Sequence, residues 1–193
     1  MDYKIINSEY FKPIHWSGGT TIELFIFPPT SDYRQRNFLF RLSTARVEAE
    51  ESEFTSLPGI SRKLMVLNGK INLSHEDHYS RQLDRFDVDT FEGDWKTSSV
   101  GKCTDFNLMT SGKTAGELST IVLEKEQSVN CTIREMCDWF FVYIFSGKVR
   151  IAINSKIATL NRGDLMILNN PTVRSFEING LDNSELVFSE ISL

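Results

Sequence analysis

Two short stretches alternate apolar and polar side chains in a pattern that could build a binding site. In "FLFRLSTA" (38–45), Phe38, Phe40 and Leu42 fall on one face of an extended strand, and Arg41 and Ser43 on the other. In "TDFNLMT" (104–110), Phe106 and Leu108 share a face opposed by Asp105, Asn107 and Met109. Spacing alone leaves two readings open for Arg41, Ser43, Asp105 and Asn107. They form either the watered side of an antiparallel sheet or the polar wall of a pocket.

Other chemistries find less material. Metal binding needs imidazole and carboxylate lone pairs that converge on the ion. The chain has three histidines, His15, His75 and His78, and none in residues 117–193. "SHEDH" sets His75 and His78 three apart, on opposite faces if extended, and it reads as a solvated loop between strands. Neither a metal nor another cofactor is expected. No G-x-S-x-G elbow is present, and a serine or cysteine nucleophile lacks an evident base. "SGG" (17–19) is not followed by the G-K-[ST] of a phosphate loop. Gly18 and Gly19 instead read as a tight turn into "TTIELFIF", with Trp16 as its packing anchor and Thr20 and Glu23 reaching a rim.

The elements that must position these residues are strands. Short alternating or apolar runs recur along the chain, among them "IELFIF", "RKLMVLNG", "STIVLEK", "WFFVYIFSG", "KVRIAIN" and "ELVFSEIS". No segment sustains an apolar period of 3.6 over three turns. The fold class is all-β. At 193 residues, with 14 Phe and three Trp, there is ample core material. The net charge of −5 argues against a nucleic acid or an anionic membrane as partner. No run approaches the roughly 18 apolar residues of a membrane span, and the N-terminus has no secretory pattern. Cys103, Cys131 and Cys137 cannot all pair and fit no zinc spacing, so they read as buried thiols of a reducing, cytoplasmic setting.

The chain also repeats itself. "RKLMVLNGKINLSHEDH" lines up with "WFFVYIFSGKVRIAINSK", and "DTFEGDWKTSSV" with "ATLNRGDLMILNN", which would place Asp94 and Asp164 at equivalent turns. A boundary falls in "TSGKTAGEL" (110–118), giving an N-terminal half 1–112 and a C-terminal half 113–193. In "DWFFVYIF" and "DLMILN" both faces are apolar, so the second half reads as structural and the first as the holder of any site.

Strand, glycine, strand, then Gly-Asp and strand resembles the rhythm of cupin barrels, which are small double-sheet jelly rolls. Three stretches carry a closer resemblance: "WSGGTTIEL" (16–24), "FRLSTARVEAEESEFTSLPGISRKLMVLNG" (40–69) and "FEGDWKTSSVGKCTDFNLMT" (91–110) are similar, in order and spacing, to the HutD/Ves family. The chain departs from that pattern at Phe40, where Trp is usual, at Ser17, where Asn is common, and at "TSGK" after "DFNLMT". The resemblance implies a bicupin without the metal of enzymatic cupins, linked to histidine utilisation or stress response and to binding of a small carboxylate. It further implies a site in which Arg41 and Arg62 grip the anion two-pronged. Thr20, Ser43 and Asn107 would add hydrogen bonds, Glu23 or Asp105 would balance the arginine charge, and Met109 would share their face. Two alternatives stand beside this expectation. One is a metal-free, isomerase-like enzyme using Glu23 or Asp105 as acid–base; the other is a module that oligomerises, for instance as a homodimer, through its apolar C-terminal strands.

Overall fold

Period-two patterns become strands along the chain, and the only helices among the described residues are single 3₁₀ turns at Ser8–Tyr10 and Tyr33–Gln35. The computed structural model describes residues 3–193. In chain order the strands are β1 (Lys4–Ile6), β2 (Pro13–Trp16), β3 (Gly19–Phe27), β4 (Phe40–Val47), β5 (Glu51–Glu53), β6 (Ile60–Gly69), β7 (Ile71–His75), β8 (Tyr79–Leu83), β9 (Val88–Glu92), β10 (Thr97–Val100) and β11 (Cys103–Ser111). They continue as β12 (Ala115–Leu123), β13 (Ser128–Thr132), β14 (Trp139–Ser146), β15 (Lys148–Ile153), β16 (Lys156–Asn161), β17 (Leu165–Asn169), β18 (Ser175–Gly180) and β19 (Ser184–Ser192). No helix among the described residues is long and apolar enough to cross a membrane.

The chain divides into two compact units. One spans Phe11–Thr114; the other joins Ala115–Leu193 to the described residues up to Tyr10. The junction lies in the glycine-containing stretch 110–118, but the chain's start belongs with its end, because β1 pairs antiparallel with β17 through Lys4–Ile167 and Ile6–Leu165. Three residues of β1 carry too little pattern to announce that pairing.

In the unit Phe11–Thr114, a six-stranded sheet runs β2-β3-β4-β11-β6-β9 and a four-stranded one β5-β10-β7-β8. Leu64, Val66 and Phe91 of the first meet Ile71, Leu73 and Leu83 of the second in one apolar cluster. The other unit has the sheets β1-β17-β14-β19-β12 and β13-β18-β15-β16. Its core cluster is apolar, from Phe140, Val142 and Ile144 to Ile151, Leu168, Ile178 and Phe188.

The two units repeat the same local wiring, with one correction to the register read from sequence. Gly69 (φ 85°) and Gly147 (φ 80°) make matching turns, so β6-β7 corresponds to β14-β15. Asp164, however, corresponds to Asp87 and not to Asp94. The Asp164 carboxylate accepts from the Asn161 amide at 2.8 Å, and the Asp87 carboxylate from the Asp84 amide at 3.0 Å. One residue earlier, the amides of Gly163 and Phe86 donate to the Ile144 and Val66 carbonyls at 2.7 and 2.6 Å. Phe86 holds the left-handed φ of 68° that glycine supplies in the other unit. The Gly-Asp dipeptide misled the alignment because the first unit performs that turn with Phe-Asp.

Once the register is set, the difference between the units is chemical. Val66 and Ile144 are counterparts, so Arg62 answers to Phe140, Asp105 to Leu186, Asn107 to Phe188 and Asp89 to Met166. Each buried Phe or Leu contributes about 1.5–3 kcal/mol on folding. Buried charges at the same places stabilise nothing unless they are paired. The N-terminal interior gives up core stability for polar groups.

Candidate functional site

The chain reverses at Ser17–Gly18, between β2 and β3. A Cβ on Gly19 (φ 155°) would lie 1.9 Å from the Arg46 carbonyl oxygen, and one on Gly18 would strike the Trp16 ring at 2.0 Å. Chain reversal with the indole laid across glycine returns edge strand β2 along β3, and the Trp16 Nε1–H donates to Thr21 Oγ1 at 3.2 Å. Ile14 and Trp16 thereby wall one side of a cavity of about 630 Å³.

Strand register builds the rest of that cavity in rows. Met109 stands between Arg41 and Arg62, Asn107 between Ser43 and Leu64, and Asp105 between Ala45 and Val66. β3 extends the rows with Glu23 beside Ser43 and Thr21 beside Ala45. The two arginines thus sit two strands apart, about 10 Å between backbones, on one face. Arg41, Ser43, Asp105 and Asn107 are all buried, so this face does not look onto bulk water.

Seven residues expected at the site line the cavity: Glu23, Arg41, Ser43, Arg62, Asp105, Asn107 and Met109. Thr20 does not, and is corrected to Thr21. Thr20 stands three residues from Glu23, hence on the opposite face of the strand, where its hydroxyl lies 3.4 Å from His15 Nδ1. Strand alternation already contained that signal.

The two guanidinium groups differ. Arg41 is satisfied: its Nε donates to Glu23 at 2.7 Å, its Nη1 to Ser43 Oγ at 2.9 Å, and it lies 4.5 Å above the Tyr33 ring. Tyr33 is held there by a loop that the Asp32 carboxylate caps at the Arg34 amide (2.7 Å) and Asn37 Oδ1 ties at the Asp32 amide (2.8 Å). Arg62 is flanked by the rings of Phe54 and Phe91, at 4.9 and 5.1 Å. Its Nη2 donates to Asn107 Oδ1 at 3.3 Å, it makes no ion pair among the described residues, and its Nε has no acceptor. Burial lowers its pKa to about 10, which leaves it charged at neutral pH.

Ser52 Oγ, which lines the cavity from β5 of the other sheet, is also buried and without a partner. Among the described residues three buried side-chain polar atoms are left so, and two of them line this cavity. Buried polar atoms are almost always satisfied, so the two stand out from the rest of the interior. Asp105 completes the polar wall: its Oδ1 accepts from Asn107 Nδ2 at 2.5 Å, and its Oδ2 lies 3.9 Å from Cys103 Sγ. Burial pushes its pKa up to about 7, against the lowering influence of Arg62 and the hydrogen bonds.

Sequence reasoning missed Thr21, Tyr33, Ser52 and Phe54. Tyr33 and Phe54 lie outside the strands that carried the alternating pattern, and Ser52 sits on the three-residue β5, too short to show a period.

"SHEDH" is corrected as well. His75 ends β7 and is buried, not solvated, with Nδ1 2.8 Å from Thr97 Oγ1 and Nε2 3.0 Å from Asp89. The Tyr79 hydroxyl donates to the other Asp89 oxygen at 3.0 Å. His78, three residues on, stacks on Trp95 with centroids 3.7 Å apart. Both ring nitrogens of His75 are committed, and among the described residues no group of three or more His, Cys, Asp or Glu side chains could hold a metal ion. All three cysteines are free and buried.

A family model described as HutD matches residues 8–188. No curated protein matches the chain. Among solved structures, a conserved protein of unknown function from Pseudomonas aeruginosa is similar at 19% identity and TM-score 0.83, over 100% of both chains. HutD from Pseudomonas fluorescens, solved in a formate condition, is similar at 20% identity and TM-score 0.76, over 98% of each chain. The bacterial pirin YhhW from Escherichia coli, in complex with nickel(II), aligns at 11% identity and TM-score 0.71, over 97% of this chain and 98% of that one. At such identities the likeness establishes an all-β, cupin-like fold.

Proposed function

Because the chain belongs to the HutD family, we propose that the cavity of its N-terminal unit binds one small carboxylate, in a role tied to histidine utilisation and within a bicupin pair of jelly-roll units. No metal takes part in this reading. The observation that carries it is the pair of unpartnered buried atoms, Arg62 Nε and Ser52 Oγ, contributed by the two sheets of the unit to the lining of this cavity. A carboxylate oxygen is the acceptor that a charged guanidinium N–H lacks, and the second oxygen has the serine hydroxyl or the remaining guanidinium edge to meet. Arg62 is the receiving residue. Arg41 is already paired with Glu23 and shapes the mouth.

Isothermal titration against formate, formylglutamate and urocanate tests this reading. Heat is expected from at least one acid. Arg62→Met keeps the apolar stem between Phe54 and Phe91 and should weaken that binding about ten- to a hundredfold, the worth of a charged hydrogen bond. Arg41→Met should cost less. No heat from any of them at millimolar concentration overturns the proposal. A second reading is favoured by Asp105, whose pKa of about 7 suits a general acid–base of a metal-free enzyme. Turnover surviving Asp105→Asn would remove it.

A further inference from the structure

Arg62 and Asp105 are joined through a single amide. Asn107 accepts from Arg62 with its oxygen (3.3 Å) and donates to Asp105 with its nitrogen (2.5 Å). Asp105 is therefore the carboxylate whose charge acts on Arg62, and it does so indirectly, through Asn107, from a buried position. A ligand carboxylate docking on Arg62 would place a second negative charge in the same low-dielectric enclosure, where two like charges repel strongly.

We propose that this site takes up its carboxylate together with one proton, which Asp105 holds. The inference rests on the carboxylate-binding reading and adds the regulation of that site. The groups facing Asp105 permit this protonation. From its own strand comes the Cys103 thiol, which burial pushes up to about 12 and so keeps neutral. β6 presents Arg62. β4 and β3 present Arg41 and Glu23, which neutralise each other at 2.7 Å. The loop before β4 contributes the Tyr33 phenol, and β5 contributes Glu53 at the rim. With Asp105 protonated, the wall carries one uncompensated positive charge, on Arg62. With Asp105 ionised, that charge is cancelled and the anion loses its attraction. Asp105 passes from one form to the other near pH 7 in the free protein, so affinity falls as pH rises through that point.

The test is titration of the full chain with formate, which stays ionised throughout, at pH 6, 7 and 8.5 in two buffers of different ionisation enthalpy. The expected result is a dissociation constant constant below pH 7 and about tenfold weaker by pH 8.5, with proton uptake revealed by the buffer dependence of the heat. Asp105→Asn fixes the neutral form. It should bind equally at all three pH values, and more tightly than wild type at pH 8.5. Binding heat that does not vary with pH overturns the inference while leaving the binding reading intact, as does pH dependence that persists in Asp105→Asn. Absence of heat with formate at every pH overturns this inference and counts against the binding reading itself. Infrared titration of the free wild type is independent of both variant and ligand: a protonated-carboxyl band should vanish with a midpoint near pH 7, and its absence above pH 5 overturns the proposal.

Discussion

Burial drives Asp105 toward its neutral form, and the direction of that shift fixes how stability depends on pH. An unfolded aspartate ionises near 3.9, whereas Asp105 in the fold ionises near 7. Between those values the native state binds the extra proton, so unfolding free energy falls as pH rises through that window and stays lowered above it. The cost at pH 8 is on the order of 2–4 kcal/mol. Asp105→Asn, which can still accept from Asn107, should therefore match wild type near pH 4 and melt at a higher temperature at pH 8. Thermal unfolding monitored by circular dichroism checks this, and a melting difference that does not grow with pH would contradict it. Residue identities were legible at this scale. "TDFNLMT" set Asp105 and Asn107 on one face because a strand's period is two. That Asn107 bridges Asp105 to Arg62, 45 positions away, was not legible, since β6 and β11 are paired by the fold and not by neighbourhood in the chain.

Among the elements, the turn before β17 is closely specified by its glycine. Gly163 has a φ of 86°, and a Cβ there would lie 2.7 Å from the Cβ of Ser8. The Ser8 amide in turn donates to Asp164 at 2.9 Å. Gly163→Ala combines left-handed strain of about 1–2 kcal/mol with a contact that pushes on the segment following β1. Gly112→Ala, at φ 63° with open space around it, bears the strain alone. Urea denaturation should find Gly163→Ala the less stable of the two by about 1 kcal/mol or more. Equal midpoints would show that the segment around Ser8 yields without cost. Sequence repetition located the hairpins at Gly69 and Gly147, yet it matched Asp164 to the wrong aspartate. A Gly-Asp pair is a visible cue, while the Phe86 turn (φ 68°) is disclosed only by the bond from the Phe86 amide to the Val66 carbonyl and by the pairing of Asp87 with Asp84.

At the scale of the whole molecule, the two units share a wiring and differ in what they enclose. The pirin similar in fold was solved with nickel(II), and the three histidines of this chain have separate surroundings. His15 is exposed on β2, His75 is bound to Thr97 and Asp89, and His78 lies on Trp95. Nickel(II) or manganese(II) at tenfold excess should leave the melting temperature within about 1 °C of the metal-free protein, since a specific site would raise it by mass action. A saturable rise would show a site these side chains do not suggest. The amino-acid sequence by itself determined the all-β class, the two-fold repetition and the apolar filling of the C-terminal half, because alternation, turn residues and hydrophobicity are local properties that each strand carries alone. Tertiary structure decided which face of each strand turns inward, that Thr21 and not Thr20 borders the cavity, that His75 is buried, and that Arg41 is paired while Arg62 is not. Those outcomes depend on cross-strand register and on which buried polar atoms find partners, and both arise only when segments far apart in the chain are brought side by side.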